Sequence, residues 1–229
     1  MRTATCTLLM SLALCGDAFT AISSVAHDPV AIDLPAPQKT GGKPLMDALS
    51  ARATSRNFTA NEPALPPQQL SNLLWAGFGI NRPDGKRTAP TAHNSQNITI
   101  HVLLDTGAYT YEPAKNQLRR VIVNGQPVGD IRALGGTQDF ARNAPVTLIY
   151  VCDAIFHTSA GAIPPLQTSA IHAGAIAQNV SLYCASAGLK GGVRMSIPKE
   201  KLAAALGITP NRIILAQSIG QDSPAAPKP

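Results

Sequence analysis

Residues 170–187 read AIHAGAIAQNVSLYCASA, a stretch dominated by Ala, Ser and Gly. With Gly188 behind it, the stretch predicts a long helix from about Thr168 to Ala187, ended by a glycine C-cap. Small side chains let a second element approach closely, so this is a central packing helix and a candidate dimer seam. Outward from it, PVTLIYVCD (145–153) is an uninterrupted apolar run, the pattern of a strand buried on both faces. ITIHVLL (98–104) reads as another strand, with a hairpin at Asp105-Thr106-Gly107 and YTY (109–111) returning. LRRVIVNG (118–125) and RIILAQSIG (212–220) add two more, and 191–197 a strand or turn.

Helices are expected over 45–54, 68–77 and 198–206. The second of these follows Pro66-Pro67 and sets Leu70, Leu73, Leu74 and Phe78 on one face. Residues 127–143 predict one or two short helices broken at Gly135-Gly136, and 154–166 a Gly/Pro-rich loop. Strands and helices alternate without a regular βα repeat, which predicts an α+β fold rather than a doubly wound one.

The ends of the 229-residue chain read differently. Arg2, the apolar run Leu8–Leu14 and the small-x-small step Ser24-Val25-Ala26 have the form of a signal peptide over 1–26. The apolar run is too short to span a bilayer. Leu14 before Cys15 does not fit a lipid-attachment site, and no twin arginine is present. The expectation is export through a Sec-type route to the periplasm or beyond, with no membrane anchor. Four prolines and two glycines make 27–44 an extended arm. The globular domain is expected over 45–220, and 221–229 as a flexible tail.

Losing 1–26 removes Arg2 and Asp17, so the net charge of +6 is unchanged. The basic residues are scattered, and five Phe and one Trp supply few stacking faces, which argues against nucleic acid as partner. A small anion accounts for the charge as well. Cys152 and Cys184 fall in a strand and a helix pattern and read as apolar fillers.

Several chemistries lack their signatures. The histidines are far apart and no Cys-x-x-Cys occurs, so no metal site is predicted. There is no G-x-S-x-G elbow. His101 and His172 read as ordinary polar side chains. Three polar groups stand at element ends instead. In ARATSRNF (51–58), Arg52 and Arg56 lie four apart on an expected helical face around Thr54, a set suited to phosphate. In RTAPTAHNSQN (87–97), Pro90 opens a helix whose free N–H groups would take an acceptor-rich ligand. In GGVRMS (191–196), a glycine turn brings backbone close to something.

These fragments, with LSNLLWAGFGINRPDGKRTAPTAHNSQN (70–97), YTYEP (109–113), GGTQDFARNAPVTLIYV (135–151) and HAGAIAQNVSLYCASAGLKGG (172–192), resemble the nitroreductase family, and within it the branch of the SagB-type dehydrogenases. The resemblance covers about residues 45–220. It implies a three-layer α/β/α sandwich with a central mixed sheet, FMN as cofactor, and a homodimer with the flavin in a cleft at the dimer interface. Hydride from NAD(P)H would pass to nitroaromatics, quinones or other electron-poor acceptors.

Carried over by motif, Arg52, Thr54 and Arg56 would bind phosphate, and Pro90, Thr91, Asn94 and Gln96 would wall the flavin pocket. His93 stands where the family commonly has small residues. Val193, Arg194, Met195 and Ser196 would line the flavin's central ring, with Arg194 offsetting the charge of reduced flavin. Gln138 would be a neighbour, and Lys228 the C-terminal basic contact. No side chain is expected to act as an obligatory acid or base, because the cofactor carries the chemistry. Two other readings stand beside this one: SagB-type oxidation of azoline rings in peptides, and a flavin-binding or storage protein without turnover.

Overall fold

The computed structural model describes residues 30–60, 62–153 and 165–221. The expected leader, most of the loop 154–166, and the tail beyond Gln221 with Lys228 lie outside the described residues.

One seven-stranded sheet runs through the molecule in the order β1-β4-β3-β2-β7-β9-β8. Its centre is β2 (Ile98–Leu104), β7 (Val146–Cys152) and β9 (Ile213–Gln221). The apolar run 146–151 is buried on both faces, as its sequence predicts. On one side, β3 (Gly107–Glu112) and β4 (Gln117–Arg120) extend the sheet to β1 (Ala31–Asp33). On the other, β8 (Leu189–Arg194) forms the edge.

Helices α2 (Pro67–Phe78) and α4 (Pro165–Ala187) cover one face, enclosing Leu73, Leu74, Ile100, Leu148, Ile176 and Val180. α5 (Lys199–Leu206) covers the other with Leu103, Ile149, Leu202 and Ile213. The two layers of helix and one of sheet give the expected α+β sandwich.

α4 earns its small residues. Ala173 and Ala177 are buried, and a Cβ on Gly77 of α2 would sit 2.8 Å from a methyl of Val180. Gly188, at φ 68°, ends the helix in the left-handed conformation and turns the chain straight into β8.

Four details differ from expectation. Every pairing in the sheet is antiparallel among the described residues, and the only parallel contact is an isolated bridge between Thr54 and Gly191. The arm is not merely extended: Ala31–Asp33 pair with β4, and Ile32 and Leu34 pack on the core. Strand 118–125 breaks at Val121, after which β5 (Ile122–Val123) pairs with β6 (Gln126–Pro127) across Asn124-Gly125. Both turn residues have positive φ, 51° and 75°, as a tight hairpin with matching twist requires. Helix α1 (Leu45–Ala51) stops three residues short of Thr54.

His101 is enclosed within the sheet, with its Nδ1 3.2 Å from Thr110 Oγ1. Burial, aided by the charges of Arg119 and Arg212, lowers its pKa to about 4. Its folded value lies below the 6.5 of an exposed histidine, so its contribution is complete above that pH and is lost as pH falls toward about 4. Full protonation should cost on the order of 3 kcal/mol. Thermal unfolding followed from neutral to acid pH should show a steeper loss for the natural chain than for His101→Gln.

Candidate functional site

The chain after α1 is extended, not helical. Arg52 caps α1 at φ −61°, ψ 118°, and Thr54 bridges Gly191 on the outer edge of β8. Ser55 N–H donates to Gly191 O at 2.9 Å. A Cβ at position 192 would lie 2.6 Å from Ser55 O, so only glycine admits this approach. Arg52 and Arg56 therefore do not share a helical face. In an extended segment alternate side chains point the same way, which still sets positions 52, 54 and 56 on one side. Thr54 and Arg56 are exposed, Arg52 is half-buried, and neither guanidinium has a partner among the described residues.

Five contacts pin the rest of this segment. Glu62 forms a buried ion pair with Lys190 of β8, and its Oε1 also accepts from Thr59 N–H. The Lys190 ammonium lies 5.2 Å from the Phe58 ring centroid. Phe58 stacks on Phe140 of α3 (Asp139–Asn143) at 6.3 Å, and Asn143 Nδ2 donates to Phe58 O. Beyond β8, Thr137 N–H donates to Ser196 O and its hydroxyl lies 2.6 Å from that of Ser196. This brings Gln138, exposed at the N-cap of α3, beside the 193–196 segment. Val193 and Met195 expose their apolar side chains here, Met195 at 69%. Met195 also lines a mostly apolar cleft of about 380 Å³ with Leu166, Ala170 and Ile214.

Arg194 does something other than predicted. Its Nε and Nη2 donate to Gly135 O and its Nη1 to Ser218 Oγ. The guanidinium is thus turned into the protein, where burial lowers its pKa to about 10. It fastens β8 and β9 to the Gly135-Gly136 turn. Its charge is not offered to a ligand by direct contact.

The loop 87–97 forms a second group, mounted on α4. Only Ala92–Asn94 are helical, in a single 3₁₀ turn with His93 left-handed, so Pro90 opens no α-helix. The amide groups expected to be free are used. Ala92 N–H donates to His172 Nε2 at 2.8 Å, Asn94 N–H to Thr91 O, and Gln96 N–H to Thr91 Oγ1. Arg87 Nε donates to Gln96 Oε1 at 2.7 Å, and Gln96 Nε2 to Asn94 Oδ1 and Gly85 O.

The motifs assigned no role to Arg87, Asn97, His172, Glu62 or Lys190, although all but Glu62 lie within the quoted stretches. Each acts through a partner nine or more residues away in sequence, Asn97 through Ser169 and His172 of α4. Among the described residues no hydrogen bond joins this loop to 52–56 or 193–196. Among the described residues no cluster of His, Cys, Asp and Glu could hold a metal, and no helix is long and apolar enough to cross a membrane.

The model of the nitroreductase family matches residues 49–221. The chain belongs to that family. A Methanocaldococcus jannaschii protein assigned as a nitroreductase, MJ1384, is 28% identical over 152 residues, covering 63% of this chain and 75% of its own. A crystal structure assigned as a nitroreductase from Ralstonia eutropha superposes with a TM-score of 0.77 at 36% identity, covering 86% of this chain and 91% of that one. A Desulfovibrio desulfuricans family structure in complex with FMN shares the fold, with a TM-score of 0.53 at 19% identity over 82% of this chain and 94% of its own.

Within this nitroreductase-family chain, the Glu62–Lys190 pair carries a clear stability consequence. Glu62→Gln should leave Lys190 buried without its counter-charge and cost about 3–5 kcal/mol in urea unfolding. Glu62→Leu combined with Lys190→Met should recover most of that loss.

Proposed function

We propose that this chain is an FMN-dependent oxidoreductase of nitroreductase type. In this reading it carries hydride from NAD(P)H or another donor to nitroaromatic, quinone or similar electron-poor acceptors. The observation that carries the reading is the pinned, extended Arg52-Thr54-Arg56 segment. It offers two guanidinium groups without a partner among the described residues, and a hydroxyl, beside the exposed Val193 and Met195 of the sheet edge. Cations fit a phosphate, and apolar side chains fit the flat face of an isoalloxazine. When bound, FMN would supply the hydride chemistry. The protein's own groups would hold the phosphate, orient the ring and keep an acceptor face open. Gln138 and Ser196 would border the ring, and the 193–196 backbone would lie along it.

The same reading assigns Pro90, Thr91, Asn94 and Gln96 to the pocket wall of the second subunit of a homodimer. The separation of the two groups within one protomer supports this. So do Leu45, Met46 and Leu49 on α1 and Ile171 on α4, apolar side chains left exposed on elements that pack together. Export rests on the signal-like residues 1–26. In an exported location a quinol or protein donor would replace NAD(P)H.

Adding FMN to the purified chain should give a yellow complex, and anaerobic addition of NADH or NADPH should bleach it. A chain that stays colourless rejects the flavin reading. A yellow chain that no donor bleaches favours storage over turnover. Arg56→Ala should weaken FMN affinity by roughly tenfold or more, as loss of a charged hydrogen bond predicts. Unchanged affinity would remove the phosphate assignment.

A further inference from the structure

His172 is 4% exposed on the first half of α4, yet both its ring nitrogens reach the loop. Nε2 accepts from Ala92 N–H at 2.8 Å, and Nδ1–H donates to Asn97 Oδ1 at 2.7 Å. Accepting at one nitrogen and donating at the other defines a neutral imidazole in one tautomer. Asn97 Nδ2 in turn donates to Ser169 Oγ at 2.6 Å, one turn earlier on the same helix. The helix thus grips the loop at both ends, at Ala92 and at Asn97.

Between those two anchors the backbone is strained. His93, Asn94 and Gln96 have φ of 52°, 52° and 47°, the left-handed region that non-glycine residues seldom occupy. Such conformations persist only where their surroundings impose them. Within the turn, Thr91 Oγ1 accepts from Gln96 N–H and Asn94 Oδ1 from Gln96 Nε2, so the three polar side chains are set by the backbone shape.

We infer that His172 is a positioning residue that holds residues 92–97 in this left-handed turn, and that it does so only as the neutral imidazole. The inference rests on the flavin reading for its consequence, since the turn presents Thr91, Asn94 and Gln96. A second proton would place an N–H on Nε2, facing the Ala92 N–H, and the anchor at that end would open. Over Pro165–Ala187, α4 carries no Asp, Glu, Lys or Arg. The loop contributes the exposed His93 and the half-buried Arg87, whose Nε donates to Gln96 Oε1. At the end of β7, Asp153 N–H donates to Asn97 O, and its carboxylate accepts from Thr99 Oγ1 and pairs with Arg212. On β2, His101 bonds to Thr110. Burial lowers the pKa of His172, so the neutral form persists through neutrality. The hold is complete above the ordinary histidine value and is lost as pH falls below it.

The test uses the full chain and two readouts. A long-range ¹H–¹⁵N spectrum of the flavin-free protein should show His172 protonated on Nδ1 alone at neutral pH; protonation on Nε2 overturns the inference whatever the flavin does. FMN affinity is then measured from alkaline to mildly acid pH for the natural chain, His172→Gln and His172→Leu. Glutamine can accept and donate at the same spacing but does not titrate. His172→Gln should match the natural affinity at alkaline pH and weaken less on acidification. The ionisation of FMN's phosphate is common to both and cancels in that comparison. His172→Leu should bind about tenfold more weakly at every pH.

Coincident pH profiles for the natural chain and His172→Gln, or natural affinity in His172→Leu, overturn the inference. Should His172→Leu fail to fold, the glutamine comparison decides alone. A natural chain that takes up no FMN at any pH rejects the flavin reading instead, while the tautomer measurement still judges the hold of His172 on the loop.

Discussion

The carbonyl of Ser55 occupies the space where a side chain at position 192 would stand. That exclusion makes the candidate site. Without it the segment after α1 could not lie along β8, and Arg52, Thr54 and Arg56 would have no fixed relation to Val193 and Met195. The remaining fixings act on the same seam. Glu62 meets Lys190 from one end, Phe58 covers its ammonium, and Phe140 closes over Phe58. A buried ion pair contributes little net stability, because desolvation offsets the attraction. Its effect here is geometric: it fixes where the segment lies on the edge strand.

The face of the sheet beneath that seam is tied by polar groups as well as apolar ones. Tyr150 O–H donates to Gln217 Oε1, and Gln217 Nε2 donates to Ser181 Oγ and Ala177 O of α4. Each member has partners, so the network joins β7, β9 and α4 without an exposed cost. Cys184 lies close by as a free buried thiol whose pKa burial pushes up to about 12. It behaves as the apolar filler its position suggested.

Local pattern made most of the elements readable. The apolar run of β7, the one-sided leucines of α2 and the glycine behind α4 each contain their own signal, and each element lies where it was expected. What escaped was fixed by distant partners. Helix 45–54 has no breaker before Thr54; it stops at Ala51 because the next residues pair with Gly191, more than a hundred positions on. Arg194 looked like a charge for a ligand because its acceptors, Gly135 O and Ser218 Oγ, are not visible in its neighbourhood of sequence. His172 looked inert for the same reason, its partner being a backbone amide eighty residues away. The residues proposed for phosphate and for the pocket wall came from motif alone, and the distant contacts that hold them in place had no local signal.

The arm offers a different kind of consequence. It is held mainly by side chains rather than by its own backbone pairing. Asn116 and Ser71 bond Pro35 O, Gln68 bonds Ala36 O, Asn72 takes Gln38 N–H, and Ser186 takes Lys43 N–H. Three residues of strand and a row of individual stitches are a fastening that can be undone piecemeal. Beneath it runs β4, whose outer edge would then present unpaired amides and carbonyls to any passing chain. The arm therefore serves as a sheath: it occupies that edge itself and leaves at the border only its own three-residue strand, a short edge for a neighbour to pair with.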